Sequence, residues 1–363
     1  MTNATAPGVS SNTSALVQSL ARLSDRDPGG SFEHAYLALL NASDVTALEK
    51  VGQQFSSAAG SNALTAFLSG AAFANGLRSC PVADGPYGQQ RETSCIWATP
   101  NAREFHQSNG ENRDGIDSNT TGLMGGLQAQ GAENIWAGAG FSVEEQSASA
   151  NHLSSFDTTW WQVGGVAKWA SGPWKLSASV SAGQGDADIS RTTGLGLTAT
   201  ATSSTDVTLV TSLARLSYSF GATGFYVTPT IDMGATWVRM GGFTEQGAGL
   251  FNLAVSSSDQ WVFSASPAIE IGATLPANGG ALRPFVKAGI SFLSEDAFSV
   301  DARFASAPST FAIASAYDDV FATLDAGLQL FSADGINLKL GYEGRFGANS
   351  RENGVDAKLS INY

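Results

Sequence analysis

Apolar and polar residues alternate along most of this chain, and its last ten residues make the pattern clear. Apolar residues stand at positions 355, 357, 359, 361 and 363, with polar residues between them. A period of two predicts a β-strand with one apolar and one polar face. The same alternation recurs from Cys95 onward and predicts about twelve strands. They fall near 94–106, 118–130, 133–148, 156–170, 173–189, 205–220, 223–240, 258–275, 282–297, 316–332, 335–347 and 354–363.

The first third of the chain has a helical period instead. We predict short helices around 15–23 and 32–40, a third that begins after Asp44, and a fourth over 61–78. Alanine, glycine and serine occupy the faces of the fourth helix that its larger apolar residues leave free. A helix this thin would fit inside a narrow channel.

The predicted strands form a closed barrel more readily than a soluble sheet. Twelve is an even number, and the connections alternate between tight turns and long loops such as 192–205 and 241–257, as in bacterial outer-membrane barrels. Three prolines, Pro229, Pro267 and Pro284, fall inside predicted strands, where a closed barrel has no edge to hold them. We therefore expect bulges or strand starts at these positions.

Composition fits a membrane barrel and excludes nucleic-acid binding. Only 14% of the 363 residues are charged, hydrophobic residues make up 43%, and 41 residues are glycine. With 19 Lys and Arg and a net charge of −13, the chain would repel a phosphate backbone. It has no apolar run long enough for a membrane helix. Residues 1–10 lack the features of a signal peptide, so we expect any export signal to lie elsewhere.

Several segments, in order, resemble the translocator β-domain of bacterial autotransporters, the type V secretion proteins. The resemblance spans roughly residues 45–363. It rests on a helical stretch from Ala47 to Arg78, Trp97 in the first strand, the segments 134–141 (NIWAGAGF), 243–247 (FTEQG) and 282–286 (LRPFV), and the terminal Tyr363.

This resemblance implies an all-β transmembrane fold, a barrel of about twelve antiparallel strands with an N-terminal α-helix threaded in its lumen. It implies a helical N-terminal remnant or passenger stub over 1–44, a linker and pore helix over 45–93, and the barrel over 94–363. The implied function is passage of the chain's own N-terminal passenger to the cell surface. Two alternatives stay open: a plugged porin-like pore without exported cargo, and a soluble or surface β-sandwich that binds other molecules.

By the same resemblance, the protein would be a monomer in the Gram-negative outer membrane and would need no cofactor. Its expected partners are outer-membrane lipid, the barrel-assembly machinery and periplasmic chaperones. Tyr363 resembles the terminal aromatic that the assembly machinery recognises in this family.

Two further groups of residues are candidates for a structural or functional role. Cys80 and Cys95, the two cysteines of the chain, form either a disulfide or two free thiols, and an oxidising compartment favours the disulfide. Charges on the polar strand faces are candidates for a wet lumen that holds the helix. They include Arg215, Glu270, Lys339, Glu343, Arg345, Asp356 and Lys358, with Lys168, Lys175, Asp232, Lys287 and Asp325 beside them.

Tryptophans near the predicted strand ends are expected to form an aromatic girdle at the membrane interfaces. They are Trp160, Trp161, Trp169, Trp174, Trp237 and Trp261. Nothing in the sequence points to catalysis. His34, His106 and His152 lack metal-ligand spacing, and there is no nucleophile elbow or phosphate loop. We therefore assign no catalytic, cofactor-binding or metal residue and expect a protein that is not an enzyme.

Overall fold

The computed structural model describes residues 8–55, 59–78, 80–82, 91–193, 199–222, 224–277 and 279–363. Four helices come first: α1 (Ser11–Arg26), α2 (Ser31–Leu40), α3 (Val45–Gln53) and α4 (Ala59–Gly76). Side-chain caps explain two of the starts. The Ser10 hydroxyl accepts the Thr13 amide, and the Asp44 carboxylate accepts the Ala47 amide at 2.8 Å. All four predicted helices are confirmed.

Twelve long antiparallel strands follow and close into a barrel, as predicted. The last strand pairs with the first, so no edge is left open. The strands are β1 (Cys95–Gln107), β2 (Ile116–Ala132), β3 (Ile135–Ala150), β4 (Ser154–Ser171), β5 (Trp174–Thr193), β6 (Ala199–Tyr218), β7 (Phe225–Met240), β8 (Ser258–Ala273), β9 (Gly280–Leu293), β10 (Val320–Ser332), β11 (Ile336–Phe346) and β12 (Ser350–Asn362).

The two ends of the barrel differ. Tight connections such as 133–134 and 172–173 lie at one end, here called the tight-turn end. Longer connections lie at the other, the long-loop end, and two of them fold into a four-stranded cap sheet. The cap sheet consists of Phe243–Thr244, Leu253–Val255, Ala297–Phe304 and Thr310–Ala316. The long loop expected over 192–205 is wrong at both ends, because β5 continues to Thr193 and β6 starts at Ala199.

The prolines interrupt pairing without ending the strands. The β8–β9 ladder has a gap between Ala265 and Ala268, which is where Pro267 lies. Pro229 precedes the first β6–β7 pair, and the β12–β1 ladder has a gap opposite Pro100. Each proline lacks the N–H that a ladder bond requires. Pro284 also lies inside a strand, β9, and pairs with Leu328. None of the three prolines is at a strand start, and a local gap in the ladder at Pro267 is the irregularity that the prediction of bulges or strand starts comes nearest to.

The barrel wall is apolar outside and polar inside over its membrane-facing part. Large apolar side chains stand exposed on the outer surface of every strand, which would be costly in water and is favourable in lipid. Trp161, Trp169, Trp174 and Trp261 are among them. Trp160 is an exception to the expected girdle: it is 0% exposed and faces the lumen, because it alternates with Trp161.

The main hydrophobic core lies at the long-loop end. Here β2–β6 continue past the apolar band, and their pattern inverts: polar residues such as Asp157 face out and apolar ones such as Phe156 face in. These inward residues pack against α1–α3, the cap sheet and the first half of α4, with Leu20 and Phe304 fully buried. Beyond the apolar band the wall thus has its apolar residues inside, as a soluble domain does.

Candidate functional site: the lumen and its helix

Helix α4 occupies the lumen and runs from the long-loop end to the tight-turn end. Its first turn contacts the cap sheet, where Gly60 packs against Ser315. Its last residue, Gly76, lies beside Met124 on the inner face of β2. The chain then reaches Cys80, which is joined by a disulfide to Cys95 at the start of β1. The disulfide therefore ties the segment that follows the lumen helix to the start of the first strand.

Small residues let the helix fit. A Cβ added to Gly70 would lie 2.7 Å from Thr211 Oγ1 and 3.0 Å from a Leu209 methyl group, closer than side chains normally pack. At Gly60 it would meet the Ser315 side chain. Larger residues at these two positions would push α4 away from the wall.

A buried polar cluster holds the middle of α4. The Ser69 hydroxyl donates to Glu144, whose side chain is 0% exposed. Arg103 from β1 donates to the same carboxylate oxygen at 2.8 Å, and the Gln162 amide donates to the Ser69 hydroxyl at 2.9 Å. Because the Glu144 carboxylate is both paired and hydrogen-bonded, its burial is tolerated, and it fixes α4 against β3 and β4.

Charged side chains hold the tight-turn end of α4. Arg78 pairs with Asp232 at 3.3 Å, and Arg215 binds the same carboxylate with two bonds of 2.6 Å. The Lys358 ammonium donates to the Gly76 carbonyl at 3.5 Å and lies 4.0 Å from the centre of the Trp97 ring. A cation is favourable at this end of a helix because the carbonyl dipoles point toward it.

The other predicted lumen charges also face the lumen, and most pair along the wall instead of with α4. Pairs within the wall are Arg283–Glu270 (3.8 Å), Lys339–Asp356 (3.4 Å), Arg345–Glu352 (3.4 Å) and Lys287–Asp325. Lys168 (3.0 Å) and Lys175 (3.8 Å) pair instead with Glu92, which precedes β1. Glu343 lies directly across from Asp325 in the β10–β11 register. Of the seven charges singled out from sequence, Lys358 contacts α4 directly, and Arg215 shares Asp232 with Arg78, two residues beyond the end of α4. A general role of these charges in holding the helix stays a prediction.

Beside α4, the lumen holds a cavity of about 240 Å³ lined by charged residues. Arg78, Lys287, Asp325, Glu343 and Asp356 are part of its wall. The cavity is polar enough and large enough to hold water. At the long-loop end the lumen is instead filled by the apolar core. The lumen thus has a wet part near the tight turns and a dry part near the long loops.

At the long-loop mouth, a single carboxylate joins four segments of the chain. Asp114 lies between β1 and β2 and is buried. It accepts hydrogen bonds from Ser61 in α4 (3.1 Å), Ser315 in the cap sheet (3.0 Å) and Asn151 after β3 (2.6 Å). Its negative charge stands near the N-terminus of α4, where the helix dipole favours an anion.

Tyr363 stands at the tight-turn end of the closing seam. Its backbone N–H donates to the Ser94 carbonyl at 3.2 Å, and its hydroxyl donates to the Gln128 carbonyl at 3.3 Å. The side chain remains 69% exposed on the outer surface. The proposed recognition of Tyr363 by assembly machinery stays a prediction.

The described residues offer no obvious catalytic centre. Within them, no group of three or more His, Cys, Asp or Glu residues is arranged to hold a metal ion. His106 pairs with Asp117 at 2.7 Å on the exposed outer wall, and His34 contacts the carbonyl of Gly30, the residue before its helix. None of the described helices is long and apolar enough to cross a membrane.

Sequence reasoning did not find the Ser69–Glu144–Arg103 cluster or Asp114. Glu144 lies on the same strand face as the polar residues Ser142 and Gln146, so its inward position could be predicted from the pattern. The partner of Glu144 could not be predicted, because the pairing depends on how deep α4 lies in the lumen.

A family model described as the autotransporter β-domain matches residues 96–343. The chain belongs to this family. Its fold is that of solved translocator domains. That of NalP from Neisseria meningitidis has a TM-score of 0.65 and 15% identity over 84% of this chain and 97% of that one. The β-domain of Bordetella BrkA has a TM-score of 0.57 and 15% identity, and the match covers 75% of this chain and 100% of that one. The AIDA-I transport unit from Escherichia coli has a TM-score of 0.50 and 11% identity, and the match covers 83% of this chain and 98% of that one.

A comparison with curated protein sequences gives no significant match. The family is one of transporters, and the protein is accordingly an outer-membrane β-barrel of the translocator type. The β-sandwich alternative is wrong, because the strands form one closed barrel with its apolar residues facing outward.

Proposed function

We propose that the barrel supports passage of its own upstream chain to the cell surface and then keeps α4 in its lumen. The observation that carries this proposal is the direction of α4. The helix starts among the long loops and ends beside the tight turns, where the chain enters β1. In outer-membrane barrels, tight turns face the periplasm and long loops face outward. Residues 8–55 would therefore lie outside the cell.

The chain is made on the inner side, so a segment that ends outside must cross the membrane. The closed ladder and the apolar outer wall leave the lumen as the polar route. Fourteen of the 18 residues of α4 are buried by that lumen, and its contacts run along its whole length. Such contacts favour retention of α4 once the upstream chain has passed.

Single cysteines can test this topology in intact cells. Gln18 in α1 and Asp334 in the turn between β10 and β11 are both exposed. Cys80 and Cys95 are bridged and should not react. A membrane-impermeant maleimide should label Gln18→Cys in intact cells and Asp334→Cys only after the outer membrane is permeabilised. If Gln18→Cys is labelled only after permeabilisation, the proposal fails.

One observation favours the alternative of a plugged pore without exported cargo, namely the charged cavity beside α4. The two functions differ in whether foreign chain ahead of residue 1 can be carried outward. An unstructured epitope fused there should be detected on intact cells if the barrel is a translocator. For a pore that carries no cargo, the epitope would stay hidden from antibody until the membrane is permeabilised.

A further inference from the structure

The apolar band on the outside of the barrel differs in height around the wall. The outward-facing residues are apolar over 96–102 on β1 and 123–129 on β2, but over the much longer stretch 225–237 on β7. A strand rises about 3.3 Å per residue and is tilted by about 40° in an outer-membrane barrel, so these stretches span about 15 Å, 15 Å and 30 Å across the membrane. Because such bands are about 25 Å tall, the wall is unusually short at β1 and β2.

A polar patch ends the apolar band where β12, β1 and β2 meet. Directly beyond Ala102 on β1, outward-facing polar side chains lie side by side in two adjacent rows of the strand ladders. These six residues, here called the seam patch, are Asn353, Glu104 and Asn119 in the first row and Arg351, His106 and Asp117 in the second.

On the tall side of the barrel, polar residues begin much farther from the tight turns. Trp237 and Trp261 form a cross-strand pair at the top of the apolar band on β7 and β8. The first charged residues on this outer face, Arg239 and Asp259, pair in the next outward row. The seam patch therefore lies at a distance from the tight-turn end at which β7 and β8 are still apolar.

The chemistry of the seam patch is unsuited to hydrocarbon and suited to lipid headgroups. The Glu104 and Arg351 side chains are exposed, and burying a charge in an apolar medium is costly. His106 contacts Asp117 at 2.7 Å, and the Asn353 amide oxygen accepts a hydrogen bond from the Tyr342 hydroxyl at 2.8 Å. Carboxylates, a guanidinium and amides together can bind both the phosphate and the ammonium groups of a headgroup layer.

We propose that the seam patch binds lipid headgroups of the leaflet at the long-loop end and draws them toward the bilayer centre. The barrel then thins the membrane beside its closing seam, while β7 and β8 keep it near its ordinary thickness. Thinning of the bilayer is one way in which lipid adapts to a short apolar surface, and it spares Glu104 from contact with hydrocarbon. This lipid contact does not depend on export of the upstream chain.

The depth of two engineered thiols tests the proposal. Ala102 and Ile231 both face outward, and each lies six residues from the tight-turn end of the apolar band on its strand. Cys80 and Cys95 are bridged, so Ala102→Cys and Ile231→Cys each add one reactive thiol to the full chain. The measurement is the rate of reaction with a charged, water-soluble thiol reagent in phosphatidylcholine nanodiscs, whose hydrocarbon layer is about 30 Å thick. Each rate is divided by the rate for the same variant unfolded in urea.

We expect Ala102→Cys to react at least roughly tenfold faster than Ile231→Cys, because hydrocarbon excludes a charged reagent. Slow reaction at both positions would overturn the proposal, since lipid would then cover the seam as it covers β7. Fast reaction at both would also overturn it, since the bilayer would then be no thinner at the seam.

A second comparison separates thinned lipid from an opening between strands. Glu104→Leu/Asn119→Leu makes the first row apolar on β1 and β2 and should slow the reaction of Ala102→Cys severalfold. Asp157→Leu, on the exposed outer face of β4, is the matched control and should leave the rate unchanged. If the double variant leaves the reaction fast, the reagent enters through the ladder and the proposal fails. Heat-modifiable migration on a gel confirms that each barrel has folded, and Glu104→Leu alone replaces the double variant if that one does not fold.

Discussion

Replacing Arg191 should free the end of α3 from the barrel. Arg191 lies in β5 at the long-loop end, and its side chain and that of Glu245 are each 1% exposed. The two form a bidentate pair, with Nε donating to Glu245 Oε1 at 2.8 Å. Arg191 Nη1 also donates to the Gln54 carbonyl, just after α3, and Nη2 donates to the Phe251 carbonyl at 3.0 Å. One guanidinium thus joins the upstream segment to the barrel.

Substitution by methionine leaves the Glu245 carboxylate buried without its charged partner. Breaking a buried pair in this way costs about 3–5 kcal/mol, most of it the penalty of the uncompensated charge. A tenfold change in an equilibrium constant corresponds to about 1.4 kcal/mol. Local opening of residues 45–55 should therefore become about a hundredfold to a few thousandfold more frequent. In Arg191→Met/Glu245→Met no charge is left buried, so most of the loss should be recovered.

Hydrogen exchange in peptides covering residues 45–55 measures this opening directly. Arg345→Met is the matched control, because Arg345 pairs with Glu352 in the wet lumen and is 28% exposed. We expect less than about a fivefold change there, as for other partly solvated pairs. The reasoning is refuted if Arg191→Met changes exchange by less than about tenfold, or if the double variant exchanges as fast as the single one.

Three further outcomes follow from the structure. Replacing both Cys80 and Cys95 by serine should lower the temperature at which the compact gel form unfolds, since a bridge across 15 residues contributes about 3 kcal/mol; an unchanged transition would contradict this role. Burial would raise the pKa of Asp318, but hydrogen bonds from Ser350 and Asn349 outweigh it and hold that pKa below its ordinary value. Protection of the 347–350 turn, measured by hydrogen exchange, should therefore be retained above about pH 4 and fall as the pH drops through the lowered pKa; Asp318→Asn should remove this dependence. Deleting Tyr363 should reduce membrane insertion without reducing synthesis, and equal amounts of heat-modifiable barrel in both strains would count against its role in assembly.

The strand pattern could be predicted from sequence because one physical rule governs it. Where lipid surrounds the wall, apolar residues must face out, and the alternation in β10–β12 gives both the strands and their faces. The same rule fails beyond the apolar band, where Asp157 is exposed and Phe156 faces the core. In this inverted region Trp160 faces the core, so the girdle position expected for it is wrong. The sequence predicts a loop at the end of β5 because residues 190–193 are all polar and give no apolar face.

The candidate site was only partly predictable for a different reason. Lumen charges such as Lys358 and Glu343 follow from their place on the polar face of a strand. Contacts between α4 and the wall do not, because they depend on the depth and rotation of a helix that shares no periodic pattern with the strands. Ser69 and Glu144 are 75 positions apart, and only the threaded helix brings them together.

A cross-link inside the lumen tests most directly the claim that the chain is threaded through its own barrel. An added Cβ at Gly70 would lie 2.7 Å from Thr211 Oγ1, too close for atoms that are not bonded. In Gly70→Cys/Thr211→Cys a disulfide would turn this close approach into a covalent link between α4 and β6. In intact cells we predict that this bridge forms, with the barrel still heat-modifiable. If both new thiols remain free to react in a folded barrel, α4 does not occupy the lumen and the account is contradicted.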